Sequence, residues 1–227
     1  MADRLPDDVL ARRNRLPVKP EPVVLAGRLV ELRPLELDRD VLALHAVSSG
    51  APFVLGTKAM HGYDSDERIW RYMSGGPFAD AAALRAWLAV QDGAIDGRPF
   101  TVLDRAIGTP VGVVNLIANQ PQHLKIELGA IWYGPIAQRT GASREVTYLL
   151  LEHVFGLGYR RAEWKCDARN EPSRRAALSY GFTFEGIQEA HYINKGENRD
   201  TAWFRMLDRE WPRIRQAAAA RIGTPTM

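Results

Sequence analysis

The chain has 227 residues, 46% hydrophobic and 25% charged, which is typical of a globular protein with one substantial core or two small ones. The formal net charge of +3 owes much to arginines near the two ends, so it does not indicate nucleic-acid binding. The sequence has no apolar run of membrane-spanning length and a single cysteine, Cys166, so we expect no internal disulfide and a cytoplasmic setting.

The first 26 residues contain few large apolar side chains, four prolines and a cluster of arginines. We expect an arm, extended or partly mobile, before the domain. Alternating residues predict a first strand over 28–33, and a helix follows it. Residues 49–78 are rich in glycine, proline and aromatic side chains, a composition typical of a segment that either walls a ligand pocket or covers the core.

A helix over 80–90 and a hairpin of strands 100–103 and 111–117 lead into the stretch around which we expect the fold to be built. There, Ile126, Leu128, Ala130 and Trp132 alternate with the intervening residues, which predicts a strand with two different faces. Apolar residues then recur at helical spacing until Gly156 and Gly158.

The loop between this strand and this helix is a candidate anion site. Unpaired N–H groups and the helix dipole point at such a position, and Gly141 would let a phosphate approach the backbone. A glycine that serves packing alone explains the same pattern equally well. The sequence has neither a glycine-rich Lys-Ser/Thr loop nor a G-x-G-x-x-G motif.

After the central helix, alternation over 161–167 predicts a strand in which Cys166 is a buried hydrophobe, since Lys165 points to the opposite face. Asn170 can cap the next helix, and Pro172 suits its first turn. Strands 187–193 and 201–207 form a second hairpin, and a last helix follows. We expect the tail over 216–227 to fray.

Four motifs follow one another in the second half of the chain: Ile126-Glu127-Leu128-Gly129, Gln138-x-x-Gly141, Asp167-x-x-Asn170-x-x-Ser173 and Gly181-Phe182-x-x-Glu185-Gly186. With the order of elements, they resemble the GNAT (Gcn5-related N-acetyltransferase) superfamily, in particular its RimJ/RimL-like ribosomal-protein-acetyltransferase branch. The resemblance implies an α+β fold over 27–215: a mixed, mostly antiparallel sheet flanked by helices, with the central strand splayed from the following strand.

The resemblance also implies a function: transfer of an acetyl group from acetyl-CoA to a primary amine, on a protein N-terminus or a small molecule, by direct attack. The loop amides would hold the pyrophosphate of coenzyme A, and the pantetheine arm would lie between the splayed strands. The implied cofactor-binding residues are Ile131, Trp132, Gln138, Arg139, Thr140, Gly141, Ala142, Ser143, Arg144, Asn170 and Ser173. We expect no metal site and neither a nucleic-acid nor a membrane partner.

The resemblance is less complete for the acid and the base. Ser173 matches the serine that protonates the leaving thiolate in the branch, while Ala177 stands where the wider superfamily has a tyrosine. The alternative role for Ser173 is that of a first-turn helix residue. Tyr192 occupies the place of the branch's glutamate base, so Glu127 is the first candidate base and His191 the second. The alternative to the role of base, for both Glu127 and His191, is to orient the substrate or to lie at the surface.

Two further functions stay open: an acyl-CoA-binding module without turnover, favoured by the departures at Ser143 and Tyr192, and a transferase that uses another acyl donor such as succinyl-CoA. The acceptor amine is not predicted. Segments 49–78 and 187–200 are expected to line its pocket, and a homodimer is compatible with the family.

Overall fold

The computed structural model of the protein describes residues 4–222, without the side chain of Arg221. A sheet of eight strands is flanked by helices, and a separate two-stranded ribbon lies beside it. In chain order the elements are α1 (Asp7–Arg12), β1 (Leu25–Ala26), β2 (Val30–Pro34), α2 (Leu37–Ala46), β3 (Phe53–Leu55), β4 (Lys58–Met60), α3 (Ala81–Asp92), β5 (Arg98–Asp104), β6 (Thr109–Gln120), β7 (Lys125–Tyr133), α4 (Ala142–Leu157), β8 (Arg161–Asp167), α5 (Glu171–Ser179), β9 (Thr183–Asn194), β10 (Glu197–Leu207) and α6 (Trp211–Ile222).

The strands of the large sheet lie in the order β1-β2-β5-β6-β7-β8-β10-β9. Every neighbouring pair is antiparallel except β7 and β8, which are parallel. These two strands pair only from Lys125↔Arg161 to Glu127↔Glu163, although both continue beyond that point. They therefore diverge after Glu127, which confirms the predicted fold class and the predicted splay.

The two faces of the sheet bury different cores. On one face, Ile126 and Leu128 of β7 belong to the same apolar cluster as Val146 and Leu150 of α4. On the other face, α2 and α3 form a smaller cluster around the fully buried Trp70. Since burial of each large apolar side chain contributes roughly 1.5–3 kcal/mol, these clusters fix the sheet between its helical layers.

A bulge interrupts the central strand. Val113 of β6 pairs with Trp132, but Asn115 pairs with Gly129, so β7 has one more residue than β6 over this stretch. Ala130, in the bulge, has φ of 47°. The regular alternation expected over 126–133 is therefore wrong beyond Gly129. The extra residue shifts the phase of the strand, so Trp132 packs in the α2–α3 core, with its ring 5.0 Å from that of Trp70.

The described part of the N-terminal segment, residues 4–26, is docked on the domain, contrary to the extended or partly mobile arm expected there, and the expectation for 1–3 lies outside the described residues. Residues 7–15 are helical, and Leu16 is buried in the α4 core. The amide of Asn119 donates to the carbonyl oxygens of Pro17 and Val18 at 2.9 and 2.8 Å. Because the segment binds through backbone carbonyls, its low content of apolar side chains did not reveal the docking.

The C-terminal helix is longer than expected. Helix α6 continues to Ile222, and Ala219 and Ile222 are buried, so the fraying expected from 216 is wrong for residues 216–222. The expectation for 223–227 lies outside the described residues. No helix within residues 4–222 is both long and apolar enough to cross a membrane.

The buried carboxylate of Glu145 joins the first turn of α4 to the strand at the other side of the core. It accepts hydrogen bonds from the backbone N–H groups of Arg28, Leu29 and Val30 at 2.8, 2.6 and 2.9 Å. Only a residue without a side chain fits beside it, because a Cβ on Gly27 would lie 2.6 Å from the Glu145 carboxyl carbon. This contact sets the position of the N-terminus of α4.

We expect Glu145→Gln to lower the free energy of unfolding by about 2–4 kcal/mol, because the amide loses the charge and one of its two acceptor atoms while three buried or part-buried donors still need acceptors. Urea denaturation measures this change. Glu171→Gln is the control, since Glu171 pairs with Arg175 on the exposed surface of α5 and its loss should cost below about 1 kcal/mol. Equal losses in the two variants would contradict the role given to Glu145.

Candidate functional site

The loop between β7 and α4 presents backbone donors that the protein itself does not use. Within residues 4–222, the backbone N–H groups of four residues donate no hydrogen bond to the protein: Arg139, Thr140, Gly141 and Ser143. Gly141 caps the helix with φ of 92°, a conformation that suits glycine, and Arg139 also has positive φ. These donors surround the positive end of the α4 dipole, so the loop can bind an anion.

Arg144 adds a positive charge to this loop. It lies in the first turn of α4, and its Nε is buried with no hydrogen-bond partner among the described residues. A cavity of about 240 Å³ opens beside it, also lined by Thr147 and Tyr180. The loop amides and this guanidinium together favour a ligand with more than one negative charge.

Two side chains predicted to bind a cofactor, those of Gln138 and Ser143, make hydrogen bonds within the protein. Gln138 Nε2 donates to the carbonyl oxygens of Tyr133 and Arg68 at 3.0 and 3.2 Å, so it fixes the loop to the end of β7. Ser143 Oγ accepts a hydrogen bond from the hydroxyl of Tyr180 at 2.9 Å, which ties α4 to the end of α5. Burial raises the pKa of Tyr180, which keeps this phenol protonated. Sequence reasoning missed Tyr180, since no motif separates it from a packing aromatic.

On the α4 side of the splay, Asn170 and Ser173 lie at the start of α5. Asn170 Oδ1 accepts the N–H of Ser173 at 3.1 Å, which is a helix cap. Ser173 Oγ accepts from the indole N–H of Trp164 at 3.0 Å, so its own proton is not needed for that contact. Burial raises the pKa of the neighbouring Cys166 thiol, in agreement with the prediction that Cys166 is a packing residue.

On the opposite face, Glu127 stands where the pairing of β7 and β8 ends. Its side chain is almost fully buried, and its Oε2 lies 2.9 Å from Lys165 Nζ. The two atoms form an ion pair, yet they are not aligned as a hydrogen bond, and Oε2 has no other partner among the described residues. Burial raises the pKa of Glu127, and the charge of Lys165 opposes this without cancelling it.

The hairpin of β9 and β10 brings His191 to the same face. A bulge between Gln188 and Tyr192 includes Ala190, whose φ is 48°. The ring centroid of His191 lies 3.8 Å from that of Tyr192 and 5.9 Å from that of Trp203. Partial burial and the cations of Lys165 and Arg199 lower the pKa of His191, so its imidazole is neutral at pH 7.

The two segments expected to line the acceptor pocket are in contact with each other. Lys195, at the tip of the hairpin, donates to the carbonyl oxygen of Trp70 at 2.8 Å. Asn194 Nδ2 donates to the carbonyl oxygen of Met73 at 3.3 Å. The hydroxyl of Tyr72 reaches the carbonyl oxygen of Arg169 at 3.2 Å. These contacts hold residues 66–73 beside the face that carries Glu127.

The predicted site residues thus fall into two groups, one on each face of the splayed strands. The anion-binding loop, Asn170 and Ser173 lie on the α4 side, and Glu127 and His191 lie on the other. The side chain of Trp132 packs in the α2–α3 core, so only its backbone is available to a ligand between the strands. In the described part of the chain, no cluster of three or more His, Cys, Asp or Glu residues could hold a metal ion.

Comparisons with known proteins agree with this arrangement. The family model described as an acetyltransferase (GNAT) domain matches residues 30–183. A GCN5-related N-acetyltransferase from Brucella melitensis is 39% identical, with 90% of this chain and 87% of that chain covered and a TM-score of 0.81. A candidate GNAT acetyltransferase from Chromobacterium violaceum is 33% identical over 86% of this chain and 90% of that one, with a TM-score of 0.75.

A candidate ribosomal-protein-serine acetyltransferase from Vibrio cholerae shares the fold, with 20% identity over 82% of this chain and 97% of that chain and a TM-score of 0.62. None of the curated proteins compared with the chain matches it. The family match spans the splayed strands, the anion-binding loop and α5, while the hairpin of β9 and β10 that carries His191 lies beyond it. The chain is therefore a member of the GNAT acetyltransferase family.

Proposed function

We propose that the protein is an N-acetyltransferase that moves an acetyl group from acetyl-CoA to a primary amine. The observation that carries this proposal is the gap between β7 and β8, which opens after Glu127 and lies next to the donor loop at the start of α4. Family membership supports acyl transfer. Assignment to the RimJ/RimL-like branch, a cytoplasmic setting and a homodimer remain narrower predictions.

The residues present fit coenzyme A. The N–H groups of Arg139, Thr140, Gly141 and Ser143 and the Nε of Arg144 have no protein acceptor within residues 4–222, and they suit its pyrophosphate. Beyond Glu127, the edge of β7 that faces β8 has no partner strand among residues 4–222 and suits the amide groups of the pantetheine arm, which would add to it as a strand does. Asn170 keeps its side-chain N–H₂ group free of described protein partners and is available to the same arm.

Acetyl-CoA supplies a thioester, an acyl group already activated toward an amine. The bulge residues Ala130 and Ile131 have no cross-strand partner on β6 or β8, so their N–H groups are candidates to donate to the acyl oxygen. Ser173 is the candidate acid for the thiolate that leaves on the α4 side, since its oxygen accepts from Trp164 and that contact does not use the hydroxyl proton. Holding the two reactants in place supplies much of the rate of such a direct attack.

Glu127 is the proposed base for the incoming amine. Its raised pKa makes it a stronger base than an exposed carboxylate, and the charge of Lys165 favours its ionised form. The neutral His191 on the same face is the second candidate. Because Glu127 and Ser173 lie on opposite faces, the amine would enter from one side and the thiolate would leave on the other.

The proposal is tested by incubating the protein with acetyl-CoA and a panel of peptide N-termini, polyamines and aminoglycosides, with free thiol and product mass as readouts. We expect thiol release that depends on an amine. Tight binding of coenzyme A without transfer would favour the acyl-CoA-binding module, and absence of binding would overturn both functions. Succinyl-CoA in place of acetyl-CoA tests the other donor.

We expect Gly141→Ala to weaken the binding of coenzyme A about tenfold or more, because a Cβ disfavours φ of 92° and the loop would leave the conformation that presents its donors. Calorimetry measures the Kd. Gly156→Ala is the matched control, since Gly156 lies inside α4 with open space around it and should leave the Kd unchanged. An unaltered Kd in Gly141→Ala would remove the loop from the cofactor site.

We expect Glu127→Gln to lower kcat/KM by about 10²–10⁴ without a change in coenzyme A affinity. In the wild type, kcat/KM should fall as the pH drops through the raised pKa of Glu127, since the protonated carboxyl cannot accept a proton. This acidic limb should be absent in Glu127→Gln. A variant that keeps both the rate and the limb would point to His191.

Lys165→Met should move the same acidic limb to higher pH, because removal of the cation raises the pKa of Glu127 further. When the pKa of a carboxyl group is higher in the folded than in the unfolded protein, the protonated form is favoured by folding. The Lys165→Met variant should therefore lose stability as the pH rises through the pKa that Glu127 has in the folded protein. A pH profile of kcat/KM and urea denaturation between pH 5 and about 8 check both statements.

A further inference from the structure

We infer that the acceptor carries a carboxylate close to its amine, and that Arg199 binds this carboxylate. The inference rests on the proposed function and specifies its substrate class: α-amino acids or short peptides with a free carboxylate near the reacting amine. It depends on the position of Arg199, on its lack of a protein partner and on the charge of the face around it.

Arg199 faces the same side of the sheet as the proposed base. It pairs across the hairpin with Tyr192, and its guanidinium carbon lies 5.4 Å from the centroid of that ring. Four residues along β10, Trp203 pairs with Lys165 of β8. Since alternate residues of a strand share a face, Arg199 lies on the side of Lys165, whose ammonium contacts Glu127.

Arg199 has no carboxylate partner within residues 4–222, and its Nε is buried without any hydrogen-bond acceptor. The cations around it are paired: Lys165 with Glu127 at 2.9 Å, and Lys195 with Asp66 at 3.4 Å. A buried guanidinium donor without an acceptor is costly to the fold. A ligand that supplies an anionic acceptor would remove this cost.

Three further buried polar atoms on the same face have no hydrogen-bond partner among the described residues: Glu127 Oε2, which has only its ion pair with Lys165, His191 Nδ1 and Thr201 Oγ1. Thr201 stands between Arg199 and Trp203 on β10. Orphaned donors and acceptors gathered in one place indicate a polar ligand. The rings of Tyr192 and Trp203 beside them suit an acceptor with an apolar portion.

The charge of this face selects between amine classes. Glu127 is already matched by Lys165, and burial lowers the pKa of His191 together with the charges of Lys165 and Arg199. A polyamine would bring further cations to this surface and find no unmatched carboxylate among these residues. An amino carboxylate offers one amine to Glu127 and one anion to Arg199, whose planar fork pairs with a carboxylate through two hydrogen bonds.

The test uses matched acceptors with acetyl-CoA: L-amino acids and dipeptides, each paired with its C-terminal amide, together with spermidine. We expect the carboxylate form of the best acceptor to exceed its amide at least about tenfold in kcat/KM. In Arg199→Gln the KM of the carboxylate form should rise about 10- to 100-fold, while the KM of the amide and the Kd of coenzyme A stay unchanged.

Arg175→Gln is the control, because Arg175 pairs with Glu171 on the exposed surface of α5 and should alter none of these values. Arg199→Lys should restore part of the preference, since it returns the charge without the planar fork. Calorimetry with N-acetyl-L-phenylalanine and its amide, with coenzyme A present, gives a readout free of turnover. The acid should bind more tightly, and Arg199→Gln should abolish the difference.

Three results would overturn the inference. Equal use of acids and amides, or preference for spermidine, leaves the acetyltransferase standing and removes the carboxylate from its substrate. A preference for succinyl-CoA over acetyl-CoA that Arg199→Gln abolishes would assign Arg199 to the acyl donor. Binding of coenzyme A with no transfer to any amine, and no binding of either N-acetyl compound, would end the proposed function together with this inference.

Discussion

The site depends on a constraint within the sheet: two neighbouring parallel strands share hydrogen bonds over three residue pairs and then separate. Strand β8 keeps its other neighbour, β10, over its whole length, from Leu207↔Arg161 to Thr201↔Asp167. Strand β7 stays with β6 but bulges at Ala130. Each strand is therefore held by its outer neighbour, which leaves backbone groups of β7 unpaired in the middle of a sheet.

Charge is distributed around this gap in two different ways. The only carboxylate in the first turn of α4 is that of Glu145, and it accepts hydrogen bonds from three backbone N–H groups of residues 28–30. It therefore does not compete with an anion for the donors of the loop. On the opposite face a carboxylate and a lysine share a buried position, which is stable only because each compensates the other. The first arrangement suits static binding of phosphate, and the second suits a group that must exchange a proton.

Much of the fold could be predicted because its signals are local. Helix α4 followed from apolar spacing and from Gly158, which ends it with positive φ. The cap at Asn170 followed from residue type alone. The bulge at Ala130, the hydrogen bond between Tyr180 and Ser143 and the docking of residues 16–18 could not be predicted, since each depends on a partner distant in sequence. The same holds for the ion pair of Glu127, whose partner Lys165 was predicted only to face away from the core.

The docked N-terminal segment has a consequence for any fragment cut at the limits of the family match. Such a fragment, residues 30–183, would lack Leu16 and the carbonyl oxygens that satisfy the amide of Asn119. Asn119 Oδ1 also accepts a hydrogen bond from the hydroxyl of the buried Tyr159, which lies between α4 and β8. Removal of the N-terminal segment would therefore also weaken the connection between α4 and β8. The N-terminal segment, which has few apolar residues, thus stabilises the domain from outside the family match. The unit that folds on its own is therefore larger than residues 30–183.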